Sequence, residues 1–171
     1  MSDRSARLVA PAGLVIGAAF GLAGTFAPSA PLRGLLWGID GIALIVATAL
    51  LTIHHFRRGN DVAAAGFLVF VAGEALILPS AAMSLEAGGP LFGSGTGLWA
   101  AALALVSASN VMAAWVRLVA IAAALLFAIV ALRVFLGHPL TAMSQPLPFF
   151  AYPLLVVTLC GWAWTHYRDA A

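Results

Sequence analysis

Long apolar stretches, separated by short clusters of glycine, proline and arginine, run the length of the chain. A helix crossing the hydrocarbon core of a bilayer, about 30 Å thick, needs roughly 20 mostly apolar residues. Six stretches meet or approach that length: Leu8–Phe26, Leu35–Phe56, Val62–Met83, about Thr96–Met112, Trp115–Gly137 and Leu147–Tyr167. Turn chemistry fills the connections at Ala27-Pro28-Ser29-Ala30-Pro31, Arg57-Arg58-Gly59-Asn60 and Gly88-Gly89-Pro90. The run from Leu98 to Leu136 is nearly continuous but too long for one crossing, and Ser107, Ser109, Asn110 and Arg117 put a break near its middle. The pattern predicts an all-α fold: one polytopic membrane domain of about six transmembrane helices.

Composition leads to the same place. Of 171 residues, 63% are hydrophobic and 8% charged, whereas soluble domains run at roughly 45–50% and about 25%. A chain with a mean hydropathy of +1.06 cannot cover a water-exposed surface with polar groups. The net charge of +2 supplies no basic stripe for a phosphate backbone, which argues against nucleic-acid partners. The single Cys160 forms no intramolecular disulfide and no metal cluster, and is expected to fill space inside the last helix. Leu8–Phe26 is longer than the apolar core of a secretory signal, about 7–15 residues, and is read as a retained helix.

The arginines set an expected orientation, because cytoplasmic loops are enriched in them. With the N-terminus inside, Arg4, Arg7, Arg57, Arg58, Arg117 and Arg168 fall on the cytoplasmic side, and Arg33 and Arg133 on the other. Both termini are then cytoplasmic. All eight basic residues are arginine, which with the abundance of Ala, Gly and Leu suggests a GC-rich bacterial genome and an inner membrane. Trp37, Trp99, Phe149, Phe150 and Tyr152 would mark the outer interface, and Trp115, Trp162, Trp164 and Tyr167 the inner one.

Small residues recur every four positions at Gly13, Gly17 and Gly21, and again at Ala120, Ala124 and Ala128. Such faces let helix backbones approach closely in lipid. They serve packing within the bundle or, alternatively, a homo-oligomer or partner subunit. No internal repeat relates the first three spans to the last three.

Chemistry is concentrated in few positions. Glu74 lies twelve residues into its span, roughly 18 Å deep. An ionised side chain at the bilayer centre costs at least ~2.5–3.5 kcal/mol, so it must be protonated, paired or in a polar cavity. With no cation at its depth, Glu74 is expected to be uncharged at neutral pH. Pro79 cannot bond the carbonyl of Ala75, which predicts a kink. Asp40, Thr48, Thr52 and His55 fall within about a 120° arc of one helix. This stripe suits a proton or solute path, and equally ordinary interhelical bonding. Arg133 falls at nearly the depth of Asp40, which makes an ion pair the simplest way to keep both in the membrane.

His54, His55 and His166 all fall at cytoplasmic helix ends. Two facing histidines are what haem ligation needs, but no second pair occurs and neither haem nor another metal or cofactor is expected. His54, His55, Arg57 and Arg58 are read as facing anionic lipid headgroups. The stretch Gly88–Gly97 resembles a phosphate-cradling loop only superficially, lacking the lysine, and is read as a flexible loop. No Ser/His/Asp ordering or His-Glu metal spacing supports an enzyme. Two functions remain: a small transporter or channel lined by Glu74, Asp40 and Arg133, and a non-catalytic subunit or scaffold packing through its Gly and Ala faces. Behind them stands a third, a haem-binding electron-transfer protein, kept because it is cheap to exclude.

Overall fold

The computed structural model describes residues 3–80, 83, 85–138 and 146–170, and the side chains of 8–80, 83, 87–138 and 150–169. Among them are six helices and no strand: α1 (Asp3–Thr25), α2 (Ala30–Arg57), α3 (Asp61–Ser80), α4 (Leu85–Ala108), α5 (Ala114–Phe135) and α6 (Pro146–Ala170). Among the described residues, five helices are long and apolar enough to cross a membrane. The sixth, α6, has 25 residues, with Pro153 inside it and Arg168 in its last turn.

Two boundaries differ from the sequence reading for identifiable reasons. The second helix begins at Ala30 rather than Leu35, because Ser29 is an N-cap whose side chain accepts from the Leu32 N–H at 3.4 Å, with proline in the first turn. Ser before Pro is a helix start, not a plain turn. The fourth helix begins at Leu85 rather than Thr96, so the expected flexible loop Gly88–Gly97 is helical. Gly93, Gly95 and Gly97 meet other helices. A Cβ on Gly95 would stand 3.0 Å from the Gly73 carbonyl oxygen, and one on Gly73 3.1 Å from that of Gly95. Glycine weakens helices in water but permits this backbone approach in lipid.

The break between α4 and α5 falls at Ser109–Ala113, as expected, with Asn110 at a φ of 57°. The Arg117 side chain crosses it to donate to the Ser107 carbonyl. Between α2 and α3 the chain reverses at Gly59, whose φ of 72° lies in the left-handed region.

Each helix packs on its neighbours in sequence, and α6 returns to α1, so the six close into a ring. Inward-facing Leu14, Leu44, Phe67, Phe70, Leu103, Phe127, Leu155 and Trp162 fill its centre. Outward-facing Leu118, Leu125, Leu132, Ile42 and Leu68 are more than half exposed. An apolar exterior around an apolar core suits lipid and not water. The chain is a helical membrane bundle.

Two aromatic assignments change with the boundaries. Trp99, fourteen residues into α4, is buried and stacks on Phe70, with ring centroids 5.9 Å apart, instead of marking an interface. Trp162 is likewise in the core, edge-on to Phe67 and Phe70. Trp115, Trp164 and Tyr167 are exposed, as interface residues should be. Cys160 is also exposed, on the outer face of α6 rather than inside it.

Candidate functional site

Among the described side chains, Glu74 and Asp40, 2% and 8% exposed, are the buried acids. They stand on adjacent helices within electrostatic reach of each other. Because α2 starts early, Asp40 is ten residues from its N-terminus, roughly 15 Å in. A helix beginning at Leu35 would place it only five residues, roughly 8 Å, in. Glu74 is six residues from the end of α3. Its Oε2 lies 3.7 Å from where a Cβ on Gly41 would sit, so the carboxyl rests on the backbone of α2 beside Asp40.

Other helices close the site. The Tyr152 hydroxyl on α6 donates to Asp40 Oδ2 at 3.3 Å. From α4 the Trp99 indole lies beside Glu74, yet its N–H makes no hydrogen bond of good geometry. On α1, Gly21 supplies the room: a Cβ there would collide with the Tyr152 hydroxyl and come within 2.5 Å of Asp40 Oδ2. The same glycine accepts at its carbonyl from the Trp37 indole, at 3.3 Å. Three polar atoms of this buried group have no partner: Asp40 Oδ1, Glu74 Oε1 and Trp99 Nε1. Buried polar atoms are nearly always hydrogen-bonded, so three orphans from three helices in one place call for an explanation.

Arg133 does not join them. The Asp40–Arg133 pair expected from matched depths is replaced by Asp40–Tyr152, and the Arg133 side chain is exposed near the end of α5. Helix-end depth alone could not show that α6, not α5, closes the ring beside α1. Tyr152 was missed because an aromatic near a helix end reads as an interface anchor. Pro79 is exposed and next to the last residue of α3, so its missing N–H falls in the final turn.

The polar stripe on α2 does face inward, but its hydroxyls are engaged. Thr48 donates to the Leu44 carbonyl at 2.6 Å and Thr52 to the Thr48 carbonyl at 2.9 Å. At its far end His55 is buried, not turned to headgroups. Its Nε2 lies 2.9 Å from His166 Nε2, and its ring stacks on Phe67 at 5.4 Å. His54 lies edge-on to both histidines. Arg57 and Arg58 are exposed at this end, and Arg58 pairs with Asp169 at 3.6 Å.

Two axial imidazoles on one iron stand apart by about twice a metal–nitrogen bond of ~2.0–2.1 Å. At 2.9 Å the two Nε2 atoms are too close for that. We expect no Soret band from protein purified after expression with haem supply. A stoichiometric band lost in His166→Ala or His54→Ala would overturn that expectation. Among the described residues no group of three or more His, Cys, Asp or Glu is arranged to hold a metal ion.

The small-residue faces are occupied within the chain at several points. Gly13 meets Ala47, and Gly17 meets Leu44 and Asp40. Ala120 and Ala124 are buried, while Ala128 is exposed.

No protein-family model, curated protein or solved structure matches the chain.

Proposed function

We propose that this membrane bundle moves protons or small cations, with Glu74 and Asp40 as the exchange site. One observation carries the reading: two carboxyls in the ring interior, each with an unpartnered oxygen, beside an unpartnered indole N–H. Two ionised carboxylates in a low-dielectric interior repel each other and lack solvation. A proton or cation between them removes both problems, and the orphaned oxygens are where it would bind. The Gly21 gap and the Tyr152 hydroxyl hold Asp40 toward the site.

A supporting device would not need this. Scaffold packing is better served by apolar cores, since orphaned buried polar groups cost about 1–3 kcal/mol each. The alternative, a non-catalytic subunit docking through its glycine face, would have to use residues that already contact α2.

The test is pH-gradient-driven flux in proteoliposomes, with potassium and sodium gradients run in parallel. The parent protein should conduct, and the double variant Asp40→Asn/Glu74→Gln should not. A parent protein that passes neither protons nor cations would end the transport reading.

The orientation belongs to the same proposal. Both termini are placed in the cytoplasm of a bacterial cell, across the inner membrane. Reporters fused at the C-terminus and between α3 and α4 should report opposite sides. The same side for both would remove either the helix count or the orientation.

A further inference from the structure

The histidines at the termini end of the ring are unused by the acid site, and their hydrogen bonds have a direction. His166 Nδ1 lies 2.7 Å from the Trp162 carbonyl oxygen. A carbonyl only accepts, so Nδ1 must carry the proton, and the neutral ring keeps a lone pair on Nε2. That Nε2 faces His55 Nε2 at 2.9 Å, so His55 must be the donor. With its proton on Nε2, His55 has a lone pair on Nδ1, and the Asn60 amide nitrogen lies 3.5 Å from it. Asn60 is in the α2–α3 turn, and Trp162 is one helical turn deeper than His166. Three donors in series therefore point from the membrane surface inward: Asn60 to His55, His55 to His166, His166 to the Trp162 carbonyl.

We infer that His55 and His166 form an ordered proton relay at the mouth of the bundle, with the proton as the species carried to the acid site. This rests on the transport reading above and names its substrate. A proton arriving at His55 Nδ1 makes an imidazolium. The Nε2–H bond of His55 then breaks as that proton passes to His166 Nε2. His55 is left neutral with its proton on Nδ1, and His166 holds the positive charge. His166 releases a proton from Nδ1 to a water inserted below it, and each ring regains its starting tautomer by taking a proton from water on its bare nitrogen and returning one from the other. Protons in and out balance, with water as the only other reactant.

The surroundings suit a relay that opens to one side. The charged or titratable groups facing the pair are His54, Arg58 and Asp169. The Arg58–Asp169 ion pair is about half exposed, 51% and 50%, and so lies at the surface above them. Phe67 and Trp162 wall the pair from the sides, edge-on to one another at 5.0 Å. Below it, Thr52 and Thr48 continue the same face of α2 toward Asp40. Fifteen residues of α2 separate His55 from Asp40, roughly 22 Å. Leu44 and Ala47 make part of that interval apolar, so passage across it requires inserted water.

The test uses the full-length protein in lipid, labelled with 15N-histidine. The relay requires the Nε2–H tautomer at His55, the Nδ1–H tautomer at His166, and a nitrogen–nitrogen coupling across their hydrogen bond. Reversed tautomers or no coupling overturn it. Uptake of one Zn2+ lost in both His55→Gln and His166→Gln also overturns it, because a shared metal displaces the bridging proton. In proteoliposomes each single variant should lose at least about tenfold in proton flux, a barrier rise of roughly 1.4 kcal/mol, and lose its solvent isotope effect. Full flux in both histidine variants, with flux abolished in Asp40→Asn/Glu74→Gln, removes the relay and leaves the acid site standing. A parent protein that moves sodium or potassium but no protons removes the relay alone, and one that moves nothing removes both. If both variants fail to fold, the tautomers of the parent protein decide.

Discussion

Glu74→Gln should insert and fold nearly as well as the parent chain while its proton or cation flux falls by at least about tenfold, more than ~1.4 kcal/mol in barrier. The two halves of that result have separate causes. Glutamine keeps the volume of the neutral acid and offers both a donor and an acceptor, so the packing of the carboxyl against Gly41 and the Trp99 indole is preserved. It cannot release a proton or neutralise a cation, so exchange stops. Stability within about 1 kcal/mol of the parent is expected, and apolar Glu74→Leu should be equally stable, since it removes a buried oxygen that has no partner. Infrared difference spectra supply the direct readout. The band of a protonated carboxyl should be present at pH 7 in the parent and missing in Glu74→Gln. An ionised Glu74 at pH 7 would mean a bound cation partner in the resting protein and would sink the neutral-acid reading. Undiminished flux in Glu74→Gln would move the exchange site away from this residue.

The parts of this site legible in the sequence are those that depth along a single helix can reveal. Glu74 stands out because a carboxylate far inside an apolar run has few alternatives to function or pairing. The inward stripe from Asp40 to His55 follows from spacing on one helix. What spacing does not encode is which helices become neighbours. Asp40 and Arg133 match in distance from their helix ends, but ring closure puts α6 beside α1 and leaves Arg133 exposed. Tyr152 and Trp99 each look like interface aromatics until the neighbouring helix and the true helix start are known.

Glycine misled the reading in one helix and guided it in another, for a single reason. In water, a run such as Gly88–Gly97 signals a loop, because glycine loses the most entropy on becoming helical. Inside lipid an unsatisfied backbone is costlier than that entropy, and glycine becomes the residue of close helix approach. Gly95 against Gly73 and Gly13 against Ala47 are two instances of one rule. The histidines illustrate the reverse limit. Their common helix-end position was visible, but interfacial residues usually face headgroups, and only the 2.9 Å contact and the Trp162 carbonyl reveal a directed pair.

Gly21→Ala should be among the most damaging single-methyl changes in the protein. A Cβ at this position meets the Tyr152 hydroxyl, Asp40 Oδ2 at 2.5 Å and Asp40 Cγ at 2.9 Å, none of which can remain in place. Overpacking alone typically costs 1–3 kcal/mol. Here the displaced groups are the ones whose hydrogen bond satisfies Asp40, and leaving that oxygen unpartnered adds about 1–3 kcal/mol. Together these effects should lower the thermal midpoint by several degrees, at roughly 2–4 °C per kcal/mol for a chain of this size. The control is Gly38→Ala in α2, where nothing lies within 4 Å of the added carbon. There the gain in helix propensity, about 0.5–1 kcal/mol, should leave the protein as stable as the parent or more so. A third variant separates packing from chemistry. Tyr152→Phe removes the hydroxyl the new carbon meets, so Gly21→Ala should cost less in a Tyr152→Phe background than alone, a non-additivity of the kind contacting residues show. Equal losses in both backgrounds would mean that α1 does not seat Gly21 against the Asp40–Tyr152 pair, and that the acid site is held in place by some other contact.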